Sequence, residues 1–156
     1  MPRSGVKVRV RDRDLGWRKM MRDIAARPGY VEVGVRGDDP GDRESGIVNN
    51  VQLAAIHEFG LGVPERSFVR ATVDRQLAAY RVLLRRLGNA MFRRRITPRA
   101  VLEALGLKAQ ADMVETIDNS IGLVPNAPAT IREKGSSRPL IDTGALKQSI
   151  TYRVQQ

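Results

Sequence analysis

Two apolar stripes of helical period lie one after the other in the second half of the chain, and they restrict its fold more than any other feature. Val73, Leu77, Tyr80, Leu84, Leu87 and Met91 recur at steps of three or four residues. Leu102, Leu105, Ala109, Met113, Ile117 and Ile121 repeat the pattern with the same period. Each set lies along one face of a helix. Between them Thr97-Pro98 supplies an N-cap and a first-turn proline, which end one helix and launch the next. The spacing therefore predicts a helical hairpin over about 70–121, whose apolar faces must meet each other or a sheet.

Elsewhere the period is two. Val6, Val8 and Val10 alternate with Lys7, Arg9 and Arg11, and Arg13 follows, so residues 5–13 read as a half-buried strand with one cationic face. Asp14 is placed to cap a helix through Trp17, Met20, Met21 and Ile24, which Arg27-Pro28-Gly29 ends. Val31, Val33 and Val35 make a second strand, and Ile150, Tyr152 and Val154 a last one over 150–154. The chain has 156 residues, 42% of them apolar, which suits one domain with a modest and mostly aliphatic core. The expected fold is α+β: a single domain over 1–156, with a small antiparallel β-sheet packed against a long helical hairpin, and extended loops.

The connections carry their own signals. Residues 37–46 are polar and acidic around Pro40-Gly41 and read as an exposed loop. Asn50 is the expected N-cap of a short helix through Leu53, Ile56 and His57, with Gly60 as its left-handed stop. Val63-Pro64 opens an extended arm that reaches Phe68. Residues 122–138, with Pro125, Pro128 and Gly135, read as a long loop of the kind that orders against a partner. Asp142 or Thr143 then caps a turn of helix over 144–149.

Little in the chain suits catalysis. With no cysteine, disulfides, thiolate zinc sites and cysteine nucleophiles are all excluded. His57-Glu58 begins like the zinc-protease phrase His-Glu-x-x-His, but Leu61 stands where the second imidazole is needed to put two ligands on one helical face. No serine sits in a Gly-x-Ser-x-Gly elbow, and no glycine-rich phosphate loop occurs. Asp142-Thr143-Gly144 copies the aspartic-protease triplet once; beside Pro139 and a short helix it reads as a cap. The acidic 37–46 loop lacks the ligand spacing of a calcium loop. The expectation is of no catalytic, cofactor-binding or metal-ligating residues. There is also no run of about 18 apolar residues and no signal-peptide pattern, so a soluble, non-secreted chain away from membranes is expected.

Charge points to anionic neighbours. The chain carries 27 Lys and Arg against 17 Asp and Glu, a formal net charge of +10. One cationic set is Lys7, Arg9, Arg11 and Arg13; another is Arg81, Arg85 and Arg86 with Arg93, Arg94 and Arg95. Such groups serve as a solvated face, as a sequence-independent and salt-sensitive contact to DNA, or as a contact to an acidic protein. No base-reading motif accompanies them.

Several phrases occur in a telling order. Ala54-Ala55-Ile56-His57-Glu58-Phe59-Gly60 comes first, then Val63-Pro64-Glu65-Arg66-Ser67-Phe68-Val69 at the entrance of the long helix. Thr130-Ile131-Arg132-Glu133-Lys134-Gly135 and Pro139-Leu140-Ile141-Asp142-Thr143-Gly144-Ala145-Leu146 follow, ahead of the last strand. Over about 30–154 this order resembles the phage virion morphogenesis, or tail-completion, family of Mu-like and related tailed phages. Members of that family often have Pro-Ala-Arg-Pro-Phe where this chain has Pro64-Glu65-Arg66-Ser67-Phe68, a change that keeps Arg66 and Phe68.

The resemblance implies a non-enzymatic structural protein of the virion that completes the tail and joins it to the head at the neck. It implies a ring around the DNA channel, with host cytoplasm as the site of assembly. Expected partners are further copies of the chain and tail-terminator, tail-tube or head-connector proteins, with nonspecific contact to packaged DNA through the cationic sets. The acidic and Pro-rich loops are the segments expected to reach neighbouring subunits. His57, Glu58, Gly60, Pro64, Phe68, Pro139, Asp142, Thr143 and Gly144 are then structural joints. The alternative is a stand-alone, sequence-nonspecific DNA-binding protein.

Overall fold

A computed structural model describes residues 16–26, 29–37, 49–93 and 95–155. The strand expected over 5–13, the Asp14 cap, most of the acidic loop and Arg94 lie outside the described residues. Helix α1 spans Trp17–Ala26 and strand β1 Tyr30–Val35. Helix α2 covers Asn50–Phe59, α3 Arg70–Phe92 and α4 Pro98–Asp118. Two short helices, α5 (Pro128–Lys134) and α6 (Ala145–Gln148), precede strand β2, Ile150–Gln155. The α+β expectation is borne out: a small antiparallel sheet joins a long helical hairpin.

Among the described residues the sheet has two strands, β1 and β2, paired antiparallel from Tyr30↔Gln155 to Val35↔Ile150. In this register Val31, Val33 and Val35 stand opposite Val154, Tyr152 and Ile150, so both alternating apolar sets share one face. A two-stranded ribbon is marginal by itself. Here α4 covers the apolar face. Gly106 makes that approach possible, because a Cβ there would fall 2.5 Å from Tyr152 Cδ2 and 2.8 Å from Val31 Cγ2. The Gln110 side-chain amide also donates to the Ile150 carbonyl at 2.8 Å, tying α4 to β2.

Helix α4 is the central element, with the sheet on one side and α3 on the other. Its lower half, Met113 and Ile117, joins Phe68, Leu123, Leu140, Leu146 and Ile150 in one buried cluster. Thr97 caps α4 by accepting from the Ala100 N–H at 3.2 Å, with Pro98 in the first turn.

Four expectations need correction. The N-cap of α2 is Asn49, not Asn50: Asn49 Oδ1 accepts from the Gln52 N–H, and Gln52 Oε1 accepts from the Asn49 N–H, a reciprocal capping box. Residues 122–138 are not one long loop, because α5 forms within them, with Pro128 in its first turn and Gly135 as a left-handed stop. Helix α6 is preceded by Gly144 at φ +84 without a side-chain cap, although Thr143 Oγ1 accepts from the Ala145 N–H at 3.3 Å.

The fourth correction concerns the face of α3. Val73, Leu77 and Leu84 are exposed, while full or partial burial recurs at Thr72, Gln76, Tyr80, Leu83 and Leu87. Tyr80, Leu87 and Met91 of the expected stripe are buried or half-buried, so α3 meets α4 along the edge of that stripe and not squarely on it, and the seam is partly polar at its start. Thr72 and Thr116 share a 2.6 Å hydrogen bond, and Arg75 donates to Thr116 Oγ1. Deeper in the seam the buried Tyr80 hydroxyl and Asp112 Oδ2 lack well-formed partners, and Lys108 pairs with the other Asp112 oxygen. Burial and the neighbouring Asp112 carboxylate push the Tyr80 phenol above its ordinary pKa.

Candidate functional site

The His57-Glu58-Phe59-Gly60 phrase ends α2 and starts the arm to α3. Gly60 holds φ +66 and donates its N–H to the Ile56 carbonyl, a left-handed stop. The chain then doubles back so that the Arg66 N–H donates to the His57 carbonyl at 2.8 Å. This return places the Glu58 carboxylate at the first turn of α3, where backbone N–H groups have no partner inside the helix.

Glu58 accepts from the N–H groups of Phe68 (2.9 Å), Val69 (3.0 Å) and Arg70 (2.9 Å). It also accepts from the Ser67 hydroxyl at 2.8 Å and from Arg70 Nε at 3.1 Å. A residue from one helix thus caps the next, a role that local capping rules do not anticipate. Burial raises the carboxyl pKa, but bonds from the Arg70 and Val69 N–H groups, the Ser67 hydroxyl and the Arg70 guanidinium outweigh it, and Glu58 titrates below its ordinary value. Arg70 also stacks over the Phe59 ring at 5.1 Å and bonds the Glu58 carbonyl and Glu65.

Arg66 ties this joint to the segment after α4. Only 7% exposed, it donates through Nε to the Val124 carbonyl at 2.8 Å and through Nη2 to the Pro125 carbonyl at 3.2 Å. Asn126 in turn donates to the carbonyls of Ser136 and Arg138, closing the turn that contains α5.

Between these parts lies a half-open cleft of about 350 Å³. Leu53, Val63, Pro64, Leu140 and Leu146 supply its apolar lining, and His57, Arg66, Asn126, Thr130, Lys134 and Asp142 its polar lining. His57 and Pro64 come from the first pair of phrases, Asp142 from the last. Residues more than 70 positions apart in sequence therefore line one cleft. Phe68 and Pro139 are buried next to it, and Thr143 and Gly144 lead from it into α6.

His57 Nδ1 is buried without a hydrogen-bond partner. Burial, reinforced by the positive charges of Arg66 and Lys134, lowers the His57 pKa, so the ring is neutral at neutral pH. Burial also lowers the Lys134 pKa; Asp142 offsets part of that effect and Arg66 adds to it. No group of three His, Asp or Glu side chains among the described residues is close enough to hold a metal ion, and no helix among them is long and apolar enough to cross a membrane.

The cationic sets lie elsewhere. Arg81, Arg85 and Arg86 are exposed along α3, and Arg93 and Arg95 are exposed just after it. Lys7, Arg9, Arg11 and Arg13 fall outside the described residues. Sequence reasoning missed Lys134 and Asn126 as members of a shared cleft. The available signals were Lys134 directly before a helix-stopping glycine and Asn126 between two prolines, both marks of a constrained turn.

Comparison with protein-family models, curated proteins and solved structures finds no match.

Proposed function

We propose that this chain is a non-enzymatic structural protein of a tailed-phage virion, acting at the neck or upper tail as part of a ring around the DNA channel. One observation carries the reading: the phrases that resemble the tail-completion family occur in that family's order, and each serves the same joint. Glu58 anchors the start of α3, Arg66 clamps the segment after α4, and the Pro139–Leu146 phrase lines the cleft that both border. In such a protein, function resides in interfaces with neighbouring copies and with tail or head-connector proteins. The exposed arginines along α3 suit contact with passing DNA without base reading.

A stand-alone nonspecific DNA-binding protein is favoured by a separate observation, the net charge of +10. Sedimentation of the purified chain with and without duplex DNA separates the two. The structural reading expects a closed oligomer of fixed mass; a monomer whose duplex affinity falls steeply with salt overturns it. Charge reversal at Arg9 and Arg11 tests the channel contact, which normal infectivity and DNA retention would exclude.

A further inference from the structure

The cleft beside α2 and α5 holds features that an architectural joint does not need. A joint is complete when its apolar groups are packed and its polar groups are paired. Here two cations reach a half-open concavity, and neither forms an ion pair with a described residue. Arg66 is almost wholly buried, yet its side-chain bonds go to two neutral carbonyls. Lys134 bonds only the Arg138 carbonyl, at 3.4 Å. Neutral acceptors satisfy N–H groups but leave the buried Arg66 charge without an ion-pair partner among the described residues, and the more exposed Lys134 has only a partial offset from Asp142.

The remaining lining decides what fits there. Asp142 is the one carboxylate and is exposed, so with His57 neutral the lining sums to one positive charge. His57 lines the cleft as well, although its unpartnered Nδ1 is itself buried from solvent. The rest of the lining is largely aliphatic. Leu140, part of it, is buried at φ +62, a left-handed conformation uncommon for a residue with a Cβ and often met where a chain shapes a site. A volume of about 350 Å³ suits one or two amino-acid residues or a small organic molecule.

We propose that this cleft binds a carboxylate carried on an apolar body, with the carboxylate at Arg66 and Lys134 and the apolar part against Leu53, Val63, Leu140 and Leu146. A bare inorganic anion leaves the aliphatic lining unused, and an amine meets two cations against one carboxylate. The ligand is a free monocarboxylate or an acidic residue beside an apolar one in a peptide; the shared chemistry is the same. This inference does not depend on the virion reading.

His57 is the sole histidine in the chain, so its ring protons give one NMR signal that reports directly on the cleft. The full-length protein is titrated with N-acetyl-leucine, N-acetyl-leucinamide, inorganic phosphate and the blocked peptide acetyl-Ala-Leu-Glu-Ala-amide. N-acetyl-leucine is expected to shift the His57 signal saturably, and the neutral amide to bind about tenfold more weakly or worse. Lys134→Gln, which removes one exposed bond to a carbonyl, is expected to weaken N-acetyl-leucine about fivefold, while Arg99→Gln on the far exposed face of α4 leaves it unchanged. Tighter binding of the peptide assigns the site to a segment of another chain, and tighter binding of N-acetyl-leucine assigns it to a free ligand; either supports the proposal. Equal binding of acid and amide, phosphate binding as tight as that of N-acetyl-leucine, an unaltered Lys134→Gln variant, or a His57 signal that never moves would each overturn it.

Discussion

The two ends of α3 are built differently. At its start, five hydrogen bonds converge on the Glu58 carboxylate, Arg70 stacks on Phe59, and the fully buried Phe68 enters the core. Beyond Tyr80, Val82, Leu84 and Phe92 are exposed, with Arg81, Arg85 and Arg86 among them. The contrast separates two jobs within one helix. Its first turn fixes the fold through long-range bonds, whereas its far half is held by a seam with α4 and, at its last residue, by the Trp17–Phe92 ring contact at 4.9 Å, and otherwise offers surface.

Substitutions should follow that gradient. Arg66→Ala is expected to do the most damage, lowering unfolding free energy by about 3 kcal/mol, because it removes a buried side chain that ties the Val124 and Pro125 carbonyls to the joint and leaves space in its place; denaturant titration measures it. Gly106→Val comes next at about 2 kcal/mol, since its added atoms would collide with Tyr152 and Val31 where α4 meets the sheet. Gly60→Ala should cost about 1 kcal/mol, from its left-handed φ and a Cβ placed 3.1–3.2 Å from Glu65 atoms. Val82→Asp at the far end is expected to stay within about 0.5 kcal/mol of wild type. A Val82→Asp variant as unstable as Arg66→Ala would erase the distinction between the two ends.

The alternation of Val31, Val33 and Val35 with their partners in β2 was legible because period-two patterning maps directly onto a sheet face. The hairpin was legible too, since Thr97-Pro98 is a local start signal that the fold uses as written. The exposure of half the α3 stripe was not. A stripe of Val73, Leu77 and Leu84 marks an apolar face, but whether that face meets α4 depends on Thr72, Arg75 and Thr116, three polar residues that pair only after folding.

Helix α5 went unseen because its seven residues are too few to display a period, while Pro128 and Gly135, the residues that bound it, also read as loop punctuation. The candidate site shows the same limit. Glu58 stood out as part of a phrase, yet its service to a helix that starts 12 residues later is a tertiary fact. Arg66, Lys134 and Asp142 meet across turns that no local pattern links.

Replacing Glu58 by Gln tests directly whether the His57–Gly60 phrase is a joint. The folded pKa of Glu58 lies below its ordinary value of 4.5, so on acidification the unfolded chain takes up the proton first. Its stabilisation is complete above that value and is lost as pH falls through the folded-state pKa. Unfolding free energy should therefore drop by about 2 kcal/mol at neutral pH in Glu58→Gln, and the variant should lose less stability on acidification than the wild type. A variant with wild-type stability and an unchanged acid profile would contradict the joint.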